Sequence, residues 1–362
     1  EIGRYLADLP DYRDEPPVLG SIEYRRRGEE SFTLGVLHRY IPNQGTAWQQ
    51  TLDQLSQFFE KVAAQSRELP SILPPRITLL GESKGEEPSD GWNELLGGHT
   101  GAAQLLGQRT ADLHLSLAAN AGDPAFAPEP FNKFYQRSTY QSMRNLTGRL
   151  CERLERLRGG FSEEARLLAD QIIGHQDEIL RRFQGILNPS LHGQRIRCHG
   201  ALNLGQFLFT GRDFVVVDFE GDRLRPFGER RVKHSPLRDV ATMIRSFDYA
   251  VQSALLDADD SRGRTPGMVR PEDRKTLAPW AAAWYDYVAS QFVHSYLERI
   301  TGTKLLPESE TARFTLLEIL ILEKALQQID SELSERPDWA IIPLRGAVRL
   351  LGHDPFDQVL QL

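Results

Sequence analysis

The reading of this chain turns on Cys198-His199-Gly200-Ala201-Leu202-Asn203-Leu204-Gly205-Gln206 and the stretch that follows, Phe214-Val215-Val216-Val217-Asp218-Phe219-Glu220. Phosphoryl transfer from ATP is served by a loop carrying a carboxylate base and, five residues on, an amide that helps hold the metal; a second carboxylate follows a buried strand. Here Gln206 takes the amide position. Asp218 closes an apolar, β-branched run that reads as a buried strand. Oxygen donors of this kind suit Mg²⁺, which keeps several waters. The base position holds Ala201, which has no group able to orient a hydroxyl or take its proton. His199 reads as a residue bracing the loop rather than as an acid or base.

Outward from this core, long strings of the chain resemble the bacterial maltokinases, above all the maltokinase half of trehalose synthase–maltokinase fusion proteins. The resemblance runs through Glu1-Ile2-Gly3-Arg4-Tyr5-Leu6, Pro42-Asn43-Gln44-Gly45 with Ala47-Trp48, and Tyr140 to Arg149. It continues through Ser235 to Ala241, Arg245 to Ala250, and Arg336-Pro337-Asp338-Trp339 with Ile342-Pro343-Leu344. It implies an α+β, kinase-like fold of the aminoglycoside-phosphotransferase type. The C-lobe would be mostly helical, with short strands around the catalytic loop, and the N-lobe only partly present. It implies ATP and Mg²⁺ as cofactors, Gln206 and Asp218 as metal ligands, and Asp239 as a residue bracing the loop. It also implies maltose or a related sugar as acceptor and a trehalose synthase domain, covalent or associated, as partner.

Departures accompany the matches. The family's loop reads His-Gly-Asp-Tyr-His-Leu-Gly-Gln, whereas this chain has Ala201, Leu202 and Asn203 in the middle. A late helix of the family carries a lysine and two tyrosines that face the sugar; here Lys324 is kept, and Gln327 and Ser331 stand at the tyrosine positions. Several changes together favour natural divergence over an engineered loss of the base. Three readings stay open: a catalytically impaired domain that still binds nucleotide and regulates a trehalose synthase, a working sugar kinase that recruits Glu220 or Asp222 as base, and a scaffold that binds neither ligand.

The 362 residues suffice for two or three packed units. The resemblance divides them into an N-lobe remainder (1–45), an intermediate helical subdomain (46–130) and a C-lobe with the catalytic loop and metal site (131–362). A net charge of −7 with mixed signs argues against a nucleic-acid partner. No apolar run approaches a membrane span, and two cysteines build no disulfide framework. A cytoplasmic location is the default expectation.

Along the chain, residues 1–9 read as a helix end. Val18 to Tyr24 and Phe32 to Tyr40 read as a hairpin around a charged turn at Gly28. Ile41-Pro42-Asn43-Gln44-Gly45 reads as a turn-rich hinge. In the resembling kinases Pro42 and Asn43 would lie beside adenine; a plain strand-to-helix connection fits the residues equally well. Helices are expected over 46–66, 94–119, 133–158, 162–187, 237–256, 277–300, 310–334 and 343–351, with loops at 67–92 and 257–275. The basic run from Arg223 to His234 reads as a solvated surface, with an anion-holding cluster beside a phosphate site as the alternative. Trp280, Trp284, Tyr285 and Tyr287 read as core, with a sugar-lining role as the alternative. His114, alone on its helix, reads as a packing residue.

Overall fold

A computed structural model describes residues 1–352 except 10, 11, 13, 27, 29, 30, 65–89, 224 and 257–268. Most of the loop expected at 67–92, much of the one at 257–275 and part of the turn around Gly28 lie outside the described residues. The rest is mostly helical, with three antiparallel two-stranded sheets.

After a short helix α1 (Ile2–Ala7), strands β1 (Val18–Tyr24) and β2 (Phe32–His38) pair antiparallel. This hairpin leaves Leu19, Ile22, Leu34 and Leu37 exposed. Of the residues at helical spacing in α2 (Ala47–Ala64), Leu55, Phe58, Phe59 and Val62 are buried, and Trp48 and Leu52 are half-buried against the core. Each fully buried aromatic of this kind contributes roughly 1.5–3 kcal/mol.

The single helix expected over 94–119 is two: α3 (Asp90–Leu96) and α4 (His99–Leu117). Gly97 breaks it with φ +55°, a backbone conformation glycine adopts without steric cost. Helix α5 (Lys133–Leu157) opens on Asn132, whose side chain caps the Tyr135 amide. The helix expected over 162–187 is likewise split, into α6 (Glu163–Gly174) and α7 (Gln176–Gln184), with His175 between them outside regular helical geometry. A 3₁₀ turn then closes the segment at Gly185–Leu187.

Strands β3 (Glu129–Pro130) and β4 (Gln194–Arg195) pair ahead of the loop, and β5 (Phe207–Phe209) and β6 (Phe214–Val216) pair after it. The basic run is not one solvated surface. It contains a short helix α8 (Phe227–Arg230). Arg223 and Arg231 are exposed, but Lys233 is buried and donates to the Pro124 and Ala127 carbonyls and to Glu129. Helix α9 (Leu237–Leu256) is buried along almost its whole length. Against it pack α10 (Arg274–Ile300), α11 (Glu310–Glu335) and α12 (Ile341–Leu350).

Trp280, Trp284, Tyr285 and Tyr287 all lie in the core. Trp284 donates its indole N–H to His99 Nδ1 at 2.9 Å. The sugar-lining alternative for these rings is thereby set aside. None of the described helices is long and apolar enough to cross a membrane.

Candidate active site

The loop is fixed at both ends by backbone pairing. Ile196 and His234 exchange hydrogen bonds at 2.9 and 3.0 Å, and Val217 N–H donates to the Gln206 carbonyl at 2.9 Å. Between these points Asp239, in the first turn of α9 and fully buried, gathers the loop backbone. Its carboxylate accepts from His199 N–H at 2.8 Å and from Gly200 N–H at 3.0 Å. It also accepts from His114 Nε2 at 3.2 Å, while His114 Nδ1 meets the Tyr296 hydroxyl at 2.9 Å. Burial alone would raise the Asp239 carboxyl; the His114 and backbone donors outweigh it and hold the group below its ordinary value.

Gly200 takes φ +85°, which only glycine adopts without cost. His199 is buried. Its Nε2 donates to the Val217 carbonyl at 3.0 Å, tying the loop to the segment that delivers Asp218. Burial lowers its pKa and keeps the imidazole neutral.

Past Ala201 the chain makes a single 3₁₀ turn over Leu204–Gln206. Asn203 holds it, its side chain accepting from Gly205 N–H at 2.8 Å and donating to the Ala201 carbonyl at 3.1 Å. This turn aims Gln206 at Asp218: Gln206 Nε2 lies 3.5 Å from Asp218 Oδ2. The amide oxygen Oε1 is buried with no hydrogen-bond partner among the described residues. A buried acceptor left unmade costs about 1–3 kcal/mol. Asp218 has φ +66°, the only non-glycine with positive φ among the described residues. Strain of this kind concentrates at functional positions.

The donor set fits Mg²⁺: one carboxylate and one orphaned amide oxygen, with the remaining positions left for phosphate and water. The described residues hold no group of three or more His, Cys, Asp or Glu arranged for a metal.

Asp218 stands where several clefts meet. On one side lies a cavity of about 1080 Å³ lined also by Ala201, Gln206, Lys324, Gln327 and Ser331. The residues matched to catalytic base, metal and sugar positions therefore share one space. In it Gln327 donates to Glu323 at 3.2 Å. Burial depresses the Lys324 ammonium, while the charge of Asp222 pulls the other way.

On another side Asp218 borders a cleft of about 320 Å³ with His38 to Ile41, Asn43, Leu208 and Val217. The hinge is pinned there by Gln44 N–H to the Phe209 carbonyl at 2.7 Å. Asn43 lines this cleft and accepts from Gly45 N–H at 3.1 Å; Pro42 does not line it. Glu220 turns into a third cleft, with Glu1, Arg197 and Arg231, and is exposed beside Arg223 at 3.3 Å. It is not brought to the large cavity. Glu1, in turn, sits at 3.3 Å from Arg197 and 3.4 Å from Arg231.

Two groups of lining residues escaped the sequence reading. Ser142, Asn145 and Arg149 of α5 line the large cavity. Their spacing of three and four residues marks a polar stripe along one edge of the leucine face, which was the available signal. Trp48, Tyr249 and Trp339 form an aromatic ladder in the same wall. Tyr249 and Trp339 are stacked at 6.3 Å and 14°. Arg336 lies over Trp339 and pairs with Glu332, which also accepts from the Tyr249 hydroxyl at 2.9 Å. These rings are far apart in sequence, and no local pattern joins them.

No family model matches the chain. Among solved structures it is similar to a glucosamine kinase, crystal form B, with a TM-score of 0.67 over 97% of this chain and 69% of that one, at 18% identity. A glucosamine kinase in complex with glucosamine, ADP and inorganic phosphate gives the same TM-score and identity, over 96% of this chain and 70% of that one. The chain shares their fold. A further crystal form of glucosamine kinase is covered over 66% of its length, so the chain spans about two thirds of these proteins.

Proposed function

We propose that this chain is a maltokinase-type sugar phosphotransferase domain that retains its nucleotide and metal side and is slowed by the loss of its base at Ala201. In this reading ATP and Mg²⁺ bind between Asp218 and the hinge, with Gln206 and Asp218 holding the metal. Asn43 and the hinge backbone flank the adenine. The bound metal supplies charge neutralisation on the phosphate oxygens. Lys324, Gln327 and Ser331 meet the hydroxyls of maltose or a related sugar, and the Trp48–Tyr249–Trp339 ladder covers its apolar faces.

The observation that carries this reading is the convergence of Gln206, whose amide oxygen has no partner among the described residues and whose amide nitrogen meets Asp218, with Asp218, Ala201 and Lys324 on one cavity. Its fold relatives include a sugar kinase solved with its sugar and ADP. Loss of a general base typically costs 10²–10⁴-fold. Phosphoryl transfer depends mostly on positioning and charge, so binding survives that loss and turnover falls. Such a domain suits a nucleotide-binding regulatory part of a trehalose synthase, covalent or associated, in the cytoplasm.

Calorimetric titration with MgATP, with and without maltose, paired with an assay for maltose 1-phosphate, tests the reading. Nucleotide binding with slow or undetectable product is expected. Absence of nucleotide binding, or product formed at an ordinary kinase rate, would sink it.

A further inference from the structure

Resting on the phosphotransferase reading, we propose that the sugar site continues along α5 into a second compartment, so that it takes a neutral, linear oligosaccharide longer than a disaccharide. The large cavity, at about 1080 Å³, already lies at the upper end of the roughly 300–1,000 Å³ of sites that hold drug-sized ligands. Beside it is a side cavity of about 450 Å³. The two adjoin across Ser142, Arg225, Glu229 and Glu323, which line both.

One helix face joins the compartments. Ser138, Ser142, Asn145 and Arg149 follow one another at spacings of four, three and four residues, which places them in a single row on α5. Ser138 lines the side cavity, Ser142 both cavities, and Asn145 and Arg149 the large one. At 1.5 Å per residue the row runs about 16 Å along the helix axis. Ser138, Ser142 and Asn145 are exposed. Their hydroxyls and amide can each donate and accept, as the hydroxyls of a sugar chain require.

The charges of the side cavity are cancelled within the protein. Arg195 pairs with Glu129 at 2.6 Å, and Arg238 pairs with Glu323. Arg225 stands 3.6 Å from Asp222 and 3.8 Å from Glu229. Burial and the neighbouring arginines hold His234 well below its ordinary pKa, so the ring is neutral; its Nδ1 meets the Tyr135 hydroxyl at 2.8 Å. A second phosphate would find no unpaired cation among these lining residues. A neutral, hydroxyl-rich chain meets no charge to displace.

Phe134 also lines the side cavity and is 84% exposed. A large apolar ring held open on the rim of a polar groove is the informative kind of exposure. Its flat face suits the apolar side of a sugar ring.

The test measures, by calorimetry on the full chain with saturating MgADP, the affinities for maltose, maltotriose and maltopentaose. Wild type, Phe134→Ala and Ser138→Trp are compared, with MgADP affinity and melting temperature recorded for each. Both positions are exposed on α5, so both variants should fold as wild type does. Wild type is expected to bind maltopentaose about tenfold or more tighter than maltose. Each variant should lose most of that gain while keeping the wild-type affinity for maltose. Equal affinity of wild type for maltose and maltopentaose overturns the extension and leaves the maltokinase-type reading standing. A preference for the longer chain that survives both variants overturns its course along α5. Binding of MgADP but of none of the three sugars overturns the extension together with the sugar side of that reading. Failure to bind MgADP removes both.

Discussion

Gln206 Nε2 lies 3.5 Å from Asp218 Oδ2, and the amide oxygen at the other corner of Gln206 is buried and unbonded among the described residues. Asp218 Oδ2 also lies 3.7 Å from Arg223, so of the two side chains only the Gln206 oxygen is left without a partner among the described residues. Gln206→Ala and Asp218→Asn are each expected to weaken Mg²⁺-dependent ADP binding tenfold or more. Neither should lower the melting temperature. Asp218→Asn keeps a residue type that tolerates the positive φ, and Gln206→Ala removes a buried acceptor that has no partner. A melting point several degrees lower at unchanged ADP affinity would mark the pair as structural.

The opposite balance is expected at Asp239. Asp239→Ala strands His199 N–H, Gly200 N–H and His114 Nε2 in the interior. Breaking a buried charged network of this kind costs about 3–5 kcal/mol. The folded-state pKa is depressed, so the contribution is full above the ordinary value of 3.8 and is lost as pH falls through the lower folded value. Urea melts of wild type and Asp239→Asn between pH 2 and 5 check this. Parallel acid slopes in the two proteins would contradict it.

Glu15 titrates the other way. Both of its oxygens are buried with no hydrogen-bond partner among the described residues, and burial pushes its pKa up to about 8. A raised folded value means that stability is fully present below the unfolded pKa, near 4.5, and falls as pH rises to about 8. Glu15→Gln should therefore flatten the stability profile between those limits and leave the variant about 1–3 kcal/mol more stable than wild type at pH 8.5. Thermal melts across that range decide it, and a variant less stable at pH 8.5 would refute it.

Gly107 illustrates a packing constraint. A Cβ there would lie 2.4 Å from the Phe292 carbonyl oxygen and 3.0 Å from Tyr296 N, both backbone atoms of α10. Alanine gains about 1 kcal/mol of helix propensity over glycine, but prising two packed helices apart costs about 1–3 kcal/mol or more. Gly107→Ala should be net destabilising in a denaturant titration. A stabilised variant would mean that α4 and α10 cross less closely.

The loop and the strand that leads to Asp218 were legible because their signals are local: an apolar run, a fixed spacing and two oxygen-bearing side chains that the structure brings together. Lys324, Gln327 and Ser331 were matched through the resemblance, and the structure puts all three on the lining of one cavity. The split of the expected 94–119 helix was missed because hydrophobic periodicity continues past Gly97, whose positive φ decides the break. The depth of Lys233 was missed because a charge run gives no hint that the carbonyls of Pro124 and Ala127 will accept from it. The Trp48–Tyr249–Trp339 ladder and the approach of Gly221 to Gly200 arise only when distant segments meet, so sequence spacing carries no trace of them.

The most direct test of the central claim, a retained metal and nucleotide side with a missing base, is the rate of maltose phosphorylation by Ala201→Asp against wild type at saturating MgATP. A gain of about 10²–10⁴-fold with little change in MgADP affinity is expected. No gain in a variant that folds and binds MgADP, or a wild type already as fast as the variant, would contradict it.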